Sequence, residues 1–233
     1  MTGNWLIMEM NGLAQIGILY PQFRLSPQWL AQAFESLEEE LELQIYPDGF
    51  QYELSTNYHD VVVKNYQWMI EVAKAFEKPV PESLLTKLSG ACELEISLMM
   101  SDGRVLDLND GAYYSVKEVC KNRLRILPDN RRLRWGAEGN PADVPDFTST
   151  ALPWAGFCVM RTGWTQDDIW ALLDGAPFGK AHQHEDKLSL LLYANGKLLL
   201  TEGGNYAYDD SAMRRYVLST RSHNTVRVDG QEQ

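Results

Sequence analysis

The chain has 233 residues and a formal net charge of −11, with 45% apolar and 11% aromatic residues. This length suits one large domain or two small ones. The negative charge argues against nucleic-acid and anionic-membrane partners, because both require a basic surface. A polyanionic substrate would need a local positive patch, and the candidate arginines for it are Arg131, Arg132, Arg134, Arg214, Arg215 and Arg221.

The cysteines and the N-terminus give information on the cellular compartment of the protein. Cys92, Cys120 and Cys158 are odd in number, widely spaced and without a CxxC pair, so we expect free thiols. No apolar run approaches the ~18 residues of a membrane span. The N-terminus lacks the basic-then-apolar pattern of a signal peptide. We expect a cytoplasmic protein if the first residue is the natural start, and a periplasmic or secreted one if a leader is missing.

The first half of the chain predicts antiparallel helices. Residues 5–19 are apolar almost all round, which is typical of a helix buried on several sides. Ser26 followed by Pro27 predicts the start of a second helix with an acidic outer face. Residues 61–76 and 83–100 predict two more amphipathic helices. We therefore assign residues 1–127 to a helical part.

The residue pattern changes in the second half of the chain. Residues 128–146 are rich in proline, glycine and charge, which is typical of a linker. Residues 147–233 alternate apolar runs with turn signals, and Asn195-Gly196 predicts a tight hairpin turn. This pattern favours an antiparallel β-sandwich, with strands in AGFCVMRTGW, DDIWALLDGA, KLSLLLYA, KLLLTEGG and NTVRVDGQ.

One polar constellation in the β part predicts a metal site. His184, Glu202 and His223 supply two imidazoles and a carboxylate, a ligand set that zinc or a similar divalent ion accepts. A hydrogen-bonded polar cluster is the alternative. A regular hairpin around Asn195-Gly196 pairs Ser189 with Glu202 and puts Glu202 and His184 on opposite faces. A metal site therefore requires a bend or bulge between residues 184 and 188.

A second constellation combines a tyrosine with an imidazole. Tyr58 lies in the polar segment ELSTNYH just ahead of a helix, and His182 would come from the other part of the chain. A tyrosine with an imidazole suits proton abstraction beside a carboxylate, provided that amide or imidazole donors neutralise that carboxylate. A loop tyrosine that is only packed is the alternative.

Several stretches resemble the heparinase II/III-like polysaccharide lyases, a family that includes oligoalginate lyases. The stretches are NWLIMEMNGLAQIGILYPQF, YPDGFQYELSTNYH, AGFCVMRTGW, HQHEDKLSLLLYANGKLLLTEGG and RRYVLSTRSHNTVRVDG. The resemblance implies a multidomain α+β fold, an incomplete α/α toroid followed by an antiparallel β-sandwich. Members are usually more than twice this length, so the chain resembles a fragment spanning the end of the toroid and the start of the sandwich.

The resemblance also implies roles for individual residues. Asn4 matches the residue that binds a uronate carboxylate, and His182 matches the histidine that helps to neutralise it or serves as base. Tyr58 matches the tyrosine that handles the proton transfers. Glu53 and His59 are near enough to assist substrate binding, although packing or loop capping is the favoured role for both. The chain has Trp5 where the family often has His.

The metal ligands carry over in the same way. His184, Glu202 and His223 match the sandwich metal site, with Glu202 where the family more often has Asp. The resemblance implies one structural divalent ion, with zinc favoured and calcium or manganese as alternatives.

The resulting hypothesis is a polysaccharide lyase. It would cleave a heparin-like, heparan-sulfate-like or alginate-like uronate glycan by β-elimination and leave a 4,5-unsaturated uronate. The predicted partner is then an acidic saccharide. The sequence also allows a homodimer. The alternative is a non-catalytic glycan-binding or structural protein that keeps the fold.

Overall fold

The computed structural model describes residues 3–177 and 181–233. Its first part is a set of helices, of which α1 packs against α2 and α3. Their bounds are α1 Asn4–Leu19, α2 Ser26–Gln44, α3 Thr56–Ala75 and α4 Glu82–Leu98. Each helix buries its apolar stripe in a shared core, as the sequence pattern predicts.

The region after α4 contains short elements. A two-stranded ladder precedes α5, and α6 follows within the segment predicted as a linker. The bounds are β1 Arg104–Val105, β2 Tyr114–Ser115, α5 Val116–Arg123, α6 Arg131–Glu138 and a 3₁₀ turn at Pro141–Asp143. Asn130 caps α6 by accepting a hydrogen bond from the backbone N–H of Leu133 at 2.9 Å. Because Leu133 is fully buried, part of this segment belongs to the packed helical body.

The second part is a five-stranded antiparallel sheet in which each strand pairs with the next along the chain. The strands are β3 Thr150–Leu152, β4 Phe157–Arg161, β5 Trp170–Asp174, β6 Leu190–Ala194 and β7 Lys197–Leu200. Alternate residues of β4 and β5 are buried, so one face of the sheet packs on the helices. Phe157 meets Phe50 edge to face, with ring centroids 5.4 Å apart. A set of packed helices followed by an antiparallel sheet confirms the predicted fold class.

Arg161 joins the two parts. It lies on the inner face of β4, and its guanidinium donates to the carbonyl oxygens of Ser97 and Met99 at 2.8 and 3.1 Å. These carbonyls lie at the end of α4, where a helix has unpaired acceptors and a negative dipole end. The buried cation thus fixes the sheet against the end of that helix.

The β6–β7 hairpin turns at Asn195-Gly196, as predicted, but it is not regular. Ala194 pairs with Lys197, whereas Leu192 pairs with Leu200, so an irregularity falls between Leu192 and Tyr193. Before β6 the backbone bends at Leu188, which has a φ of +66°. The backbone irregularity predicted between residues 184 and 188 is therefore confirmed at Leu188, the last residue of that range.

The strand predicted within NTVRVDGQ is wrong. Residues 224–231 lie outside the sheet in this structure, and the preceding residues form α7, Ala212–Leu218, and a 3₁₀ turn at Thr220–Ser222. Among the described strands, the outer edge of β7 is open, but the segment does not pair along it. Asn224 instead accepts a hydrogen bond from the backbone N–H of Leu190 at 3.1 Å and donates through Nδ2 to the carbonyl of Thr201 at 2.7 Å.

Two further features bear on the sequence expectations. The three cysteines are free. In the ranges that the structure describes, none of the helices combines the length and apolarity needed to cross a lipid bilayer.

Candidate active site and metal site

The three residues predicted to act on a substrate converge on one open cleft. Asn4 is the first residue of α1, Tyr58 lies in the first turn of α3, and His182 lies in the loop before β6. The other residues that line the cleft are Trp5, Glu53, Ala181 and Tyr208. The cleft lies where the helical part meets the β part, a common place for ligand sites.

Glu53 holds Asn4. Its carboxylate accepts hydrogen bonds from the Asn4 backbone N–H at 3.3 Å and from Asn4 Nδ2 at 3.0 Å. A negative charge at the N-terminus of a helix is favourable, because the first N–H groups have no partner within the helix. Gly3 has a φ of +73°, and a side chain there would collide with Glu53. Glu53 therefore orients the amide that faces the cleft.

His59 does not reach the cleft, and the expectation that it helps to bind substrate is corrected. Its side chain is fully buried: Nδ1 accepts from the backbone N–H of Gln51 at 3.3 Å, and Nε2 contacts the Ala91 carbonyl at 3.0 Å. Burial, reinforced by the positive charge of Arg123, lowers the pKa of His59 to about 3. It is a neutral core histidine that ties the segment before α3 to α4.

Tyr58 forms the centre of an aromatic group. Its ring stacks on the ring of His182, with centroids 3.5 Å apart and planes inclined by 12°. Its hydroxyl lies 2.7 Å from the hydroxyl of Tyr208. Burial, with the hydrogen bond to Tyr58, raises the pKa of Tyr208, so Tyr208 stays protonated near neutral pH. Two phenols and an imidazole thus share one side of the cleft.

Sequence reasoning missed Tyr208 and Asp110. Tyr208 lies in NYAYDD, a polar and aromatic segment similar in composition to the one around Tyr58. Asp110 lies in the segment LNDG between α4 and α5, which offered only a turn signal. Both come close to His182 through the fold and not through sequence proximity.

Asp110 contacts three charged or polar side chains at the site. Its side chain is 1% exposed, and it contacts His182, His184 and Arg214. Burial by itself would raise its pKa, but hydrogen bonds from these three side chains outweigh burial and hold the pKa well below the usual range. Asp110 is therefore a carboxylate that accepts hydrogen bonds from all three.

The predicted metal ligands also come together. One ligand atom from each of His184, Glu202 and His223 lies within 4.8 Å of the others, and all three residues are buried. His184 comes from the loop before β6, Glu202 follows β7, and His223 follows the last 3₁₀ turn. The site therefore links both ends of the hairpin to the segment after α7.

The atoms of this cluster fit a divalent cation. Among the described residues, His184 Nδ1, Glu202 Oε2 and both ring nitrogens of His223 are buried without a well-aligned hydrogen bond, although Glu202 Oε2 lies 3.0 Å from His223 Nδ1. Leaving such groups unpaired costs about 1–3 kcal/mol each, and a cation satisfies them together. Burial also raises the pKa of the neighbouring Asp186 and Asp174. Both acidic groups also lie close enough to Glu202 to be affected by its charge, so the surroundings of the cluster favour a cation.

The arginines proposed for a positive patch are largely neutralised. Arg131 and Arg134 pair with Asp143. Arg132 pairs with Glu93 and Asp146. Arg214 pairs with Asp110 at 2.6 Å, beside the cleft. These four arginines therefore form internal ion pairs and do not make a free cationic surface.

The helical part, the antiparallel sheet, the Asn–Tyr–His cleft and the His–Glu–His cluster define the class of protein. Residues 1–135 match the family model described as Heparinase II/III N-terminus. Residues 145–233 match the model described as Heparinase II/III-like, C-terminal. The chain belongs to the heparinase II/III family.

Known relatives give the same assignment. The chain is 28% identical to a heparin-sulfate lyase of Pedobacter heparinus, over 98% of this chain and 36% of that protein. It is 26% identical to a heparin-sulfate lyase of Bacteroides thetaiotaomicron, over 97% of this chain and 36% of that protein. The chain thus spans little more than a third of these relatives.

Solved structures share the fold. The heparan sulfate lyase HepC from Pedobacter heparinus superposes with a TM-score of 0.84 at 26% identity, over 97% of this chain and 37% of that one. A heparinase III superposes with a TM-score of 0.87 at 25% identity, over 98% of this chain and 37% of that one.

Proposed function

We propose that this chain carries the catalytic cleft of a glycosaminoglycan lyase that acts on a heparan-sulfate-type uronate by β-elimination. The observation that carries the proposal is the convergence of Asn4, Tyr58 and His182 on one cleft. Relatives named heparin-sulfate lyases support this substrate class over alginate.

The first task of the site is to acidify the proton on C5 of the uronate. The Asn4 amide, held by Glu53, and the Nε2 side of His182 both face the cleft, where they would bind the C6 carboxylate. Donors aimed at that carboxylate stabilise the negative charge that develops when the C5 proton leaves. These fixed donors do not have to reorganise during the reaction.

The second task is proton transfer. The Tyr58 oxygen takes the proton from C5, the C4–C5 double bond forms, and the C4–O4 bond breaks. The leaving O4 then receives a proton from Tyr58, so the tyrosine ends as it began. For this balance Tyr58 begins and ends the cycle as a phenolate and is a phenol between the two transfers. Because Tyr208 stays protonated and lies 2.7 Å from the Tyr58 oxygen, its O–H can donate to that phenolate and stabilise it.

The metal cluster has a supporting role in this scheme. His184, Glu202 and His223 would hold one divalent ion, with zinc favoured by the two imidazoles. When bound, this ion supplies structural cross-linking between the hairpin and the segment after α7. No atom of the reacting sugar is assigned to it.

The test is formation of the unsaturated product. The protein is incubated with heparan sulfate, heparin or alginate, and the ultraviolet absorbance of the conjugated enoate is followed. We expect product from heparan sulfate. We expect Tyr58→Phe to lower the rate at least ~100-fold, because general acid–base catalysis is worth about 10²–10⁴. The matched control is Tyr216→Phe, on the exposed surface of α7.

Other outcomes discriminate among the alternatives. Product from alginate alone would overturn the substrate class. Binding of heparan sulfate with no product from any of the three glycans would favour a non-catalytic glycan-binding protein. An unchanged rate in Tyr58→Phe would overturn the mechanism.

A further inference from the structure

We propose that Asp110 is a positioning residue that fixes the ring orientation and tautomer of both His182 and His184, so that the cleft and the metal site are set by one carboxylate. The role of His182 in this statement rests on the proposed lyase function. The link between the two histidines through Asp110 does not depend on it.

The contacts are divided evenly between the two oxygens of Asp110. Oδ1 lies 2.9 Å from His184 Nε2 and 2.6 Å from an Arg214 nitrogen. Oδ2 lies 3.1 Å from His182 Nδ1 and 2.9 Å from the other Arg214 nitrogen. A carboxylate has about four acceptor positions, and these contacts use all of them. Neither histidine can rotate without breaking a contact to the same group.

This arrangement assigns the protons. Arg214 pairs with both oxygens and keeps Asp110 ionised, so Asp110 only accepts hydrogen bonds. His182 then holds a proton on Nδ1, and its Nε2, which faces the cleft, needs a second proton to donate to a sugar carboxylate. His184 carries its proton on Nε2, so its lone pair is left on Nδ1. This atom is one of the buried ring nitrogens without a hydrogen-bond partner among the described residues.

The consequence for the metal site follows from the tautomer. Only a ring nitrogen with a free lone pair can bind a metal, and the partner of the other nitrogen decides which one is free. Asp110 therefore presents His184 Nδ1 to the cluster with Glu202 and His223. The same carboxylate presents His182 Nε2 to the cleft.

The backbone around these groups reinforces the link. The Asp110 N–H donates to the His182 carbonyl at 3.1 Å, and the His184 N–H donates to Asn109 Oδ1 at 2.7 Å. Asn109 also donates through Nδ2 to the Leu54 carbonyl at 2.9 Å, just before α3. His182 itself is held at a φ of +68°, in the left-handed region. The segments that carry Asp110 and the histidines are thus joined by main-chain and side-chain bonds together.

The first experiment needs no substitution. Long-range ¹H–¹⁵N spectra of the ¹⁵N-labelled, metal-loaded protein report the tautomer of every imidazole. The chain has four histidines, so assignment is tractable, and buried His59 serves as an internal reference. We expect protonated Nδ1 in His182, and protonated Nε2 with metal-bound Nδ1 in His184. Protonated Nε2 with bare Nδ1 in His182 would overturn the proposal.

The second experiment compares Asp110→Asn with Asp107→Asn. Asp107 lies in the same segment and is also near Glu202, but it is not hydrogen bonded to either histidine. We expect Asp110→Asn to weaken zinc binding about 10- to 100-fold, the usual effect of losing such a partner. The His182 signals should shift to a tautomer mixture, and kcat on heparan sulfate should fall with little change in KM. Asp107→Asn should leave the His182 signals unchanged.

The outcomes separate the two proposals. Equal effects of both variants would show a general charge effect and overturn the role of Asp110. Loss of zinc affinity and a changed His182 tautomer in a protein without lyase activity would uphold Asp110 and overturn the proposed function. If Asp110→Asn does not fold, the tautomers of the unsubstituted protein still decide the question.

Discussion

Trp5 stands at the mouth of the cleft and is 59% exposed, which is unusual for the largest apolar side chain. It directly follows Asn4, the residue assigned to the substrate carboxylate. An exposed aromatic ring adds little to folding but offers a flat surface to the apolar face of a sugar ring. Trp5 is therefore expected to bind substrate without taking part in the chemistry.

The prediction is that Trp5→Ala raises KM for heparan sulfate about 3- to 10-fold, with kcat nearly unchanged, because one aromatic contact is worth about 0.5–1.5 kcal/mol. Steady-state kinetics measure it. Trp154→Ala is the matched control, since Trp154 is 61% exposed and does not line the cleft. A fall in kcat at constant KM would contradict the assignment.

His59 makes a separate prediction about pH. Its pKa is about 3 in the folded protein and 6.5 in an unfolded chain, so the folded state binds fewer protons between these values. The stabilisation is complete above pH 6.5 and is lost as pH falls toward 3. At pH 4.5 the loss amounts to about 2 to 3 kcal/mol of unfolding free energy.

The measurement is urea unfolding at pH 7.5 and pH 4.5 of the original protein and of His59→Gln. Gln can still accept from Gln51 and donate to Ala91, but it does not titrate. The variant should lose about 2 to 3 kcal/mol less on acidification, since all other titrating groups are shared. An equal loss in both proteins would show that His59 is already accommodated as a cation.

At the scale of residues, sequence reasoning found the groups that a family motif marks and missed those that only the fold brings close. Tyr58 and His182 were identified, yet Asp110 and Tyr208 reach them across long sequence separations. His59 was named for substrate binding because it follows Tyr58 directly, but its favoured role, packing, is the one that the structure shows. On a helix, neighbouring residues point about 100° apart, so one faces the cleft and the other faces the core.

At the scale of elements, the bend at Leu188 tests the argument from hairpin geometry. Leu188 has a φ of +66° and is 57% exposed, so its backbone is strained and its side chain contributes little burial. We expect Leu188→Gly to leave stability unchanged or raise it by up to ~1 kcal/mol. Leu188→Val should lower it by about 1 kcal/mol or more, because a branched side chain fits this conformation poorly.

The control is Leu199→Gly in β7, which is similarly exposed at 52% but lies within a strand. There glycine should destabilise by about 0.5–1 kcal/mol. Urea unfolding of the three variants supplies the values. If both glycine variants destabilise equally, Leu188 is not strained and the bend has another cause.

The same hairpin shows how far patterns predict elements. The turn at Asn195-Gly196 is a local signal and was predicted correctly. The bend was predicted because a regular hairpin would place His184 and Glu202 on opposite faces, where they could not bind the same metal ion. The strand predicted within NTVRVDGQ did not form although β7 has an open edge in the described sheet. An alternating pattern does not report whether the backbone of a segment will pair with a neighbouring strand.

At the scale of the whole molecule, the helices and the sheet share one continuous core, which extends from Ile7 in α1 to Tyr193 in β6. Arg161 adds a buried polar link between the two parts. The segments that carry His184, Glu202 and His223 lie largely outside that core and are held by fewer apolar contacts. The stability of this region should therefore depend on the metal more than the rest does.

The last prediction concerns metal removal. A ligand that binds only the folded state stabilises it by RT ln(1 + [L]/Kd), about 2.7 kcal/mol at a hundredfold excess over Kd. For a chain of this size that corresponds to roughly 5 to 10 °C in Tm. We expect EDTA followed by dialysis to lower Tm by this amount and zinc to restore it, as measured by differential scanning calorimetry.

His223→Ala should show the low Tm with or without zinc, because one of three ligands is lost and its partner Glu202 is left buried. His182→Ala should keep the full zinc response, since His182 faces the cleft and is not one of the three ligands. A zinc response that survives in His223→Ala would place the ion elsewhere in the molecule.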